Sequence, residues 1–551
     1  MTDATRLRIA GGTVYDPANG IDGEVRDVCI ENGRIVASLP DDAPRLDARG
    51  MVVMPGGIDM HTHVAATSVN SARRLLPEEH SADPVHAPPL REGDAIPRSG
   101  TGGTVPSTFS TGYRYAGLGY TTIFEAAVAP ITARETHAEL DDTPIVDSGC
   151  FILMGNDEYL FRQMAAGEHA RARDYAAWLL RAAKGYAIKI VNPGGVAAWK
   201  EGVREVAGLD APVGDARVTP RAILELLTGI GNELALPHPV HIHCNHLGLP
   251  GNVTTTLESM RTVSGRRAHF THLQFHSYSG TRGGQWSSGA QEVVAYLNAH
   301  PELSGDVGQV MFGPATTVTA DAAVEYLLYA STGRKWVNTD IELETGCGVV
   351  PYSYREKAAV SALQWVIGLE LFLLSEDPWR LVLSTDHPNG GSFMSYPRLI
   401  QLLMDRSVRD ELLKQVNPAM LAGSALADGL AREYTLNEIA IITRAGPARL
   451  LGLTTKGHLG VGADADITIY ARHADLATMF ATPRYVLKGG TLVVEEGQLR
   501  RAPEGRRLSV RPEYDDAVER DLERYFARYA TVSFENYSVS ARGDIDAERE
   551  T

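Results

Sequence analysis

Met54-Pro55-Gly56-Gly57-Ile58-Asp59-Met60-His61-Thr62-His63 is the stretch on which the reading of this chain turns. The apolar run leading into it, Met51-Val52-Val53-Met54, reads as a strand. Pro-Gly-Gly interrupts that run, and a second extended segment then carries two histidines at i and i+2. Residues two apart on a strand face the same side, so His61 and His63 can close on one ion. Imidazole is a common zinc ligand, and its Nε2 can sit about 2.0–2.1 Å from the metal. Taken alone, the pair is equally explained by two hydrogen-bonded histidines at a strand end. The rest of the chain tips the balance.

On the N-terminal side, 7–16, 28–30 and 34–36 read as short strands, with Asn32-Gly33 as a hairpin turn between the last two. The same style, strands with glycine turns, returns at 460–470 and 485–494. One small β-sandwich domain assembled from both termini, 1–54 and 456–505, is expected. Between them, 55–455 alternates apolar strand-like runs with helical segments, the pattern of a parallel α/β architecture. Seven candidate strands follow the histidine strand: 121–125, 145–147, 187–191, 240–243, 268–272, 308–312 and 380–386. Together they suit a TIM-like (β/α)8 barrel. The length exceeds the ~250 residues usual for that fold, so insertions are expected at 64–116 and 313–360. Within the first, Ser99-Gly100-Thr101-Gly102-Gly103-Thr104 has no P-loop lysine and reads as a flexible lid.

Reactive groups of such barrels sit at the carboxyl ends of the strands. Lys189 lies inside Ala-Ile-Lys-Ile-Val, just before Asn192-Pro193-Gly194-Gly195. A buried ammonium must be neutral, paired or chemically modified. Carbamylation would make it a carboxylate able to bridge two metal ions; pairing with a buried acid is the plainer alternative. The next strand offers His241 and His243, with His246 behind, and the strand end favours His243. Then come His269, His272 and His276, of which His272 sits at the strand end. Asp386 stands before His387-Pro388-Asn389-Gly390-Gly391, at a strand-to-loop junction.

The 551 residues, 44% hydrophobic and 22% charged, describe a globular chain large enough for more than one domain. A net charge of −16 argues against duplex nucleic acid as the main partner. Cys29, Cys150, Cys244 and Cys347 show no paired spacing, which fits a reducing compartment. With no apolar leader and no membrane-length apolar run, a cytoplasmic location and no membrane partner are expected.

Two histidines, a lysine, two histidines and an aspartate, in that order, resemble the amidohydrolase superfamily. Within it, Val69-Asn70, 106–109, 111–115, 119–122, 188–194, 249–252 and 385–390 resemble the alpha subunits of formylmethanofuran dehydrogenase and of the formyltransferase/hydrolase complex of methylotrophs. The similarity covers most of 7–500. It implies zinc, as two ions bridged by a carboxylated Lys189, with His61, His63, Lys189, His243, His272 and Asp386 as ligands. It implies hydrolysis of N-formylmethanofuran or formylmethylofuran to formate and the free amine, with Asp386 moving the proton. Partner subunits, including a formyltransferase, are implied as well. The methanofuran-type carrier is acidic, so Arg73, Arg74, Arg91, Arg98 and Arg114 are candidates for its capture, with Asn70 and Asn389 as further contacts. A dihydroorotase- or hydantoinase-like activity and a non-catalytic scaffold are the competing readings; the long 64–116 insertion speaks against the former, the intact ligand types against the latter. Beyond 506, Val518, Leu522 and Phe526 recur among charges at four-residue spacing, marking an amphipathic helical tail (506–551) expected to pack on its own barrel.

Overall fold

The computed structural model describes residues 6–82, 84–86, 99–281, 285–339 and 347–539. Arg91, Arg98 and the end of the tail, 540–551, lie outside them. Eight parallel strands curl into the TIM-like sheet: Gly57–Thr62, Tyr120–Val128, Asp147–Leu153, Ala187–Val191, Val240–His243, Ala268–Phe270, Leu303–Asp306 and Leu381–Val382. Each pairs with the next in chain order. The last returns to the first where Thr62 bridges to His387 and the His63 amide donates to the His387 carbonyl at 2.7 Å. Strands buried on both faces read as continuous apolar runs, and Asp147–Leu153 and Ala187–Val191 are buried at every position.

Two strands differ from the sequence reading. The third begins at Asp147, where 145–147 was expected, because Ile145 adopts φ +73° and its amide is taken by the Pro503 carbonyl at 2.7 Å. The seventh is Leu303–Asp306, not 308–312. The later, more apolar run leaves strand geometry at Gly308 (φ +64°), its Gln309 amide making a last bond to the Ser384 carbonyl at 2.8 Å in step with Gly305 to Arg380 and Val307 to Val382. Only glycine fits at 308, since a Cβ there would lie 2.4 Å from the His272 Cβ.

The terminal strands form one continuous sheet of nine. Val52–Pro55 is its seam, pairing in parallel with Arg6–Asp16 and antiparallel with Ile467–Tyr470. Ile9, Val14, Ile30, Val53, Ile467 and Ile469 pack together in its core. The Pro-Gly after Val53-Met54 thus turns the chain directly from this sheet into the first barrel strand.

The segment before the second barrel strand holds helices Thr67–Leu75 and Thr108–Gly117. Ser99–Thr101, expected as a free lid, instead pairs with Pro84–His86. The adjacent Thr104 is anchored by its amide and hydroxyl on Glu79, at 2.6 and 2.8 Å. Between the seventh and eighth barrel strands, Gly313–Thr319, Val337–Thr339 and Cys347–Tyr354 form an antiparallel sheet beside helix Ala322–Thr332. The tail helix, Ala517–Tyr529, buries Val518, Leu522, Tyr525 and Phe526. It lies against helix His169–Ala182, with Phe526 6.3 Å from Trp178 between ring centres and Asp521 ion-paired to Arg171 at 2.8 Å. Among the described residues no helix is long and apolar enough to cross a membrane.

Candidate active site

The carboxyl ends of the barrel strands surround a cavity of about 410 Å³. Its floor is polar, with His61, His63, Lys189, His243, His272 and Asp386 all in the lining. Its walls are apolar, with Leu247, Leu249, Trp286, Val324, Leu328 and Val360 among them. The six residues singled out as ligands from the sequence therefore meet at one place. His61 Nε2 and His63 Nε2 approach Asp386 Oδ1 at 2.9 and 3.2 Å. The His243 and His272 rings lie 4.6 Å apart, and those of His61 and His272 5.3 Å apart. His61, His272 and Asp386 converge as one potential ligand group, and His243, His272 and His276 as another.

Several buried side-chain nitrogens here lack a hydrogen bond, although His243 Nε2 lies 3.7 Å from Asp321 Oδ2. Lys189 Nζ, His243 Nε2, His272 Nδ1 and both ring nitrogens of His276 make no hydrogen bond. Buried polar atoms are rarely orphaned without a function, and so dense a cluster fits a bound cation. The donor set, imidazoles with carboxylate, is one that first-row divalent metals take. Backbone strain collects at the same rim: His272 (φ +36°), Asp386 (φ +50°) and Asn192 (φ +42°) all adopt left-handed conformations.

Electrostatics separates the roles. Burial pulls the Lys189 amine down to about 7, against the opposing pull of Asp306, Asp386 and Glu125. Burial also lowers His243, His272 and His276, and neighbouring imidazoles push His272 and His276 lower still. Burial would raise Asp386, but His61 and His63 hold it well below the usual carboxylate range. For His63, hydrogen bonds to Asp386 and Glu125 outweigh burial and lift it to about 9.

The surplus histidines sort by depth. His246 is tied off, its ring nitrogens 2.8 Å from Thr255 Oγ1 and 2.6 Å from the Val206 carbonyl. His241 and His269 lie among Ser304, Asp306 and His238, none of which lines the cavity. His276 joins the ligand candidates beside His243 and His272, and His241 meets His61 and Asp306 as a further potential ligand group below the floor. The residues proposed for carrier capture are placed differently from the expectation. Asn389 lines the cavity, yet its amide donates to Asp386 Oδ1 at 2.9 Å and its oxygen accepts from the Val318 amide at 2.6 Å. Asn70, Arg73, Arg74 and Arg114 are absent from the cavity wall. Arg73 instead donates to the carbonyls of Val64 and Pro106 at 2.8 and 2.9 Å and to Asn70 Oδ1 at 2.9 Å. Asn70 in turn is held by Glu139. A guanidinium with that many intrachain acceptors braces the segment after His63.

Sequence reasoning missed the supporting residues. Glu125 accepts from the amides of Val64 and Ala65 at 2.6 and 2.9 Å while standing 2.9 Å from His63 Nδ1. A carboxylate closing the apolar run Thr121–Phe124 was its signal. Asp306 accepts from Thr271 Oγ1 at 2.6 Å and from the His272 amide at 3.0 Å. It was hidden because the seventh strand was placed after it.

A model of the amidohydrolase family matches residues 46–494. This chain belongs to the amidohydrolase family. The amidohydrolase is 45% identical over 555 residues to protein FwdA of Methanocaldococcus jannaschii, covering 97% of this chain and 96% of that one. It is 39% identical over 542 residues to the FhcA subunit of the formyltransferase/hydrolase complex of Methylorubrum extorquens, again at 97% and 96% coverage. The crystal structure of that complex with methylofuran contains a chain that matches this amidohydrolase with a TM-score of 0.90 at 38% identity, covering 97% of this chain and 96% of that one. Family membership makes the chain a hydrolase.

Proposed function

We propose that this amidohydrolase hydrolyses an N-formyl amine of the methanofuran type, N-formylmethanofuran or formylmethylofuran, to formate and the free amine. It would act in the cytoplasm as one subunit of an assembly that includes a formyltransferase. The observation that carries this reading is the full-length similarity to a subunit of a complex crystallised with methylofuran. The apolar walls above a polar floor suit a carrier whose aromatic end enters while its formamide reaches the donors below.

His61, His63, Lys189, His243, His272 and Asp386 would hold two zinc ions, with Lys189 carboxylated as the bridge. Lys189 is suited to that modification, because a buried amine lowered to about 7 presents a free electron pair to carbon dioxide, losing one proton as the carbamate forms. Zinc, when bound, supplies Lewis acidity toward the formyl oxygen and acidifies water. Asp386 takes the proton from the attacking water and returns it to the departing nitrogen, acting as base and then acid. Asn389 holds the Asp386 carboxylate in place for both transfers. Glu125 anchors His63 and the chain that follows it. The atoms balance: formamide and water give formate and amine.

Elemental analysis per chain, combined with turnover on the formylated carrier and on dihydroorotate, tests the reading. About two zinc ions per chain with formate released from the carrier alone is the expected result. Metal-free purified chain, or turnover of dihydroorotate instead, would overturn it.

A further inference from the structure

Three fully buried imidazoles, His238, His241 and His61, lie in series from the barrel interior to the cavity floor. With every ring neutral, their hydrogen bonds admit one consistent set of protons. His238 Nδ1 is 2.8 Å from the Leu450 carbonyl oxygen, which can only accept, so Nδ1 carries the hydrogen. A neutral imidazole has one N–H, so His238 Nε2 is left as an acceptor, and His241 Nδ1 donates to it at 3.0 Å. By the same step His241 Nε2 accepts from His61 Nδ1 at 2.9 Å. In a neutral His61 that leaves Nε2 free of hydrogen and directed at the ligand cluster, where a cation would stand between it and Asp386 Oδ1, 2.9 Å away. Thr271 points to the same tautomer independently. Its hydroxyl gives its hydrogen to Asp306 Oδ2 at 2.6 Å, so toward His61 Nδ1 it stands as an acceptor.

We propose that His238 is a positioning residue, transmitting the Leu450 carbonyl's demand for a donor through His241 and so acting, alongside Thr271 and Asp306, to hold His61 in the tautomer whose Nε2 lone pair faces the metal site. The proposal rests on the metal-centre reading above. Metal is bound by the unprotonated ring nitrogen, and the partner of the other nitrogen sets which one that is. Here the setting group stands two rings behind the ligand.

Nitrogen-15 NMR of the histidine-labelled full chain, with zinc and after chelation, reads the tautomers without any substitution in the protein observed. Signals are assigned by their loss in single-site variants. Nδ1–H with unprotonated Nε2 at His238 and His241 is expected in both states; an Nε2–H form at either overturns the proposal. Zinc release to a chelator gives the second readout. His238→Leu, which fills space but neither donates nor accepts, should release zinc about 10–100-fold faster, the range for lost outer-shell partners. His238→Gln can donate to Leu450 and accept from His241, and should recover most of that loss. A role in packing alone predicts the opposite order, and that order, or equal loss in both, overturns the proposal. Should His238→Leu fail to fold, the tautomers of the unsubstituted chain decide. A chain that shows these tautomers yet takes up no zinc sinks the metal-centre reading and leaves the tautomer assignment standing.

Discussion

Lys189 and Asp386 sit on the same cavity floor with opposite electrostatic demands, and substitutions at the two should separate. Lys189 is an orphaned, fully buried amine. Lys189→Met should abolish zinc retention, and the metal-free variant should melt at or above the metal-free parent, because an apolar side chain of similar volume removes an uncompensated polar group. A lower melting point for the metal-free variant would show that Lys189 is paired in the apo protein. Asp386→Asn should keep most of the metal while losing at least ~10²-fold in kcat, the lower end of general acid–base contributions. Near-normal kcat would pass the proton to another group. Arg73, a candidate for carrier capture, is absent from the cavity wall and hydrogen-bonded within the chain. Because it braces Val64, Pro106 and Asn70 away from the cavity wall, Arg73→Ala should lower kcat and thermal stability. A rise in KM that grows at low ionic strength would restore the capture role instead.

At the scale of elements, the tail helix and the seventh strand carry the instructive cases. Leu522 and Phe526 are buried against helix His169–Ala182, remote from the cavity floor. Leu522→Ala, a change that costs about 2–5 kcal/mol in a packed site, should speed amide hydrogen exchange across 517–529 and leave zinc content unchanged. Coupled loss of zinc would tie the tail to the barrel mouth. The amphipathic spacing of this helix was legible because a surface helix shows its buried face as a period of about 3.6 residues. The seventh strand was not, because Leu303-Ser304-Gly305-Asp306 is short and polar for a strand, whereas Val310-Met311-Phe312 is apolar yet belongs to a loop, where Val310 packs with Phe275, Ala315 and Tyr354. Periodicity reports burial, and a buried loop and a buried strand share that signal.

The whole molecule is joined at the opposite end of the barrel by a buried ion cluster. Asp147, the first residue of the third barrel strand, meets Lys456 and Lys488 at 2.5 and 2.7 Å, and Asp466 meets the same lysines at 2.9 and 2.8 Å. Arg506 adds a contact to Asp147 at 2.9 Å. Asp147, Asp464 and Asp466 lie close enough to suggest a cation site, but these side-chain cations already neutralise them. Burial would raise Asp147 and Asp466, yet the lysines hold Asp147 well below the ordinary carboxylate range and Asp466 at about 2. A folded-state value below the unfolded one, near 3.9, means the stabilisation is complete above about pH 4 and is lost as pH falls toward 2. Denaturant melts across that window should therefore show stability falling with acid. Asp466→Asn should flatten the slope and cost about 3–5 kcal/mol at neutral pH, as breaking a buried pair does. An unchanged slope would place the acid sensitivity elsewhere.

The sequence alone determined the alternation of strand and helix, the assembly of one sheet from both ends, and the six side chains that line the cavity floor. Each follows from a local rule: period-two strands, glycine turns, and polar residues stranded at the ends of apolar runs. The strand end already favoured His243 over His241, and the tertiary structure added what His241 meets, His61, His238 and Asp306, which a period of two does not tell. It also placed Glu125, Asp306 and the His238–His241 pair beside the floor histidines and left Arg73 out of the cavity wall. Those assignments depend on pairs 62, 35 and 180 residues apart in the chain, His63 with Glu125, Thr271 with Asp306 and His61 with His241, and spacing along a sequence carries no record of contacts closed by the barrel itself.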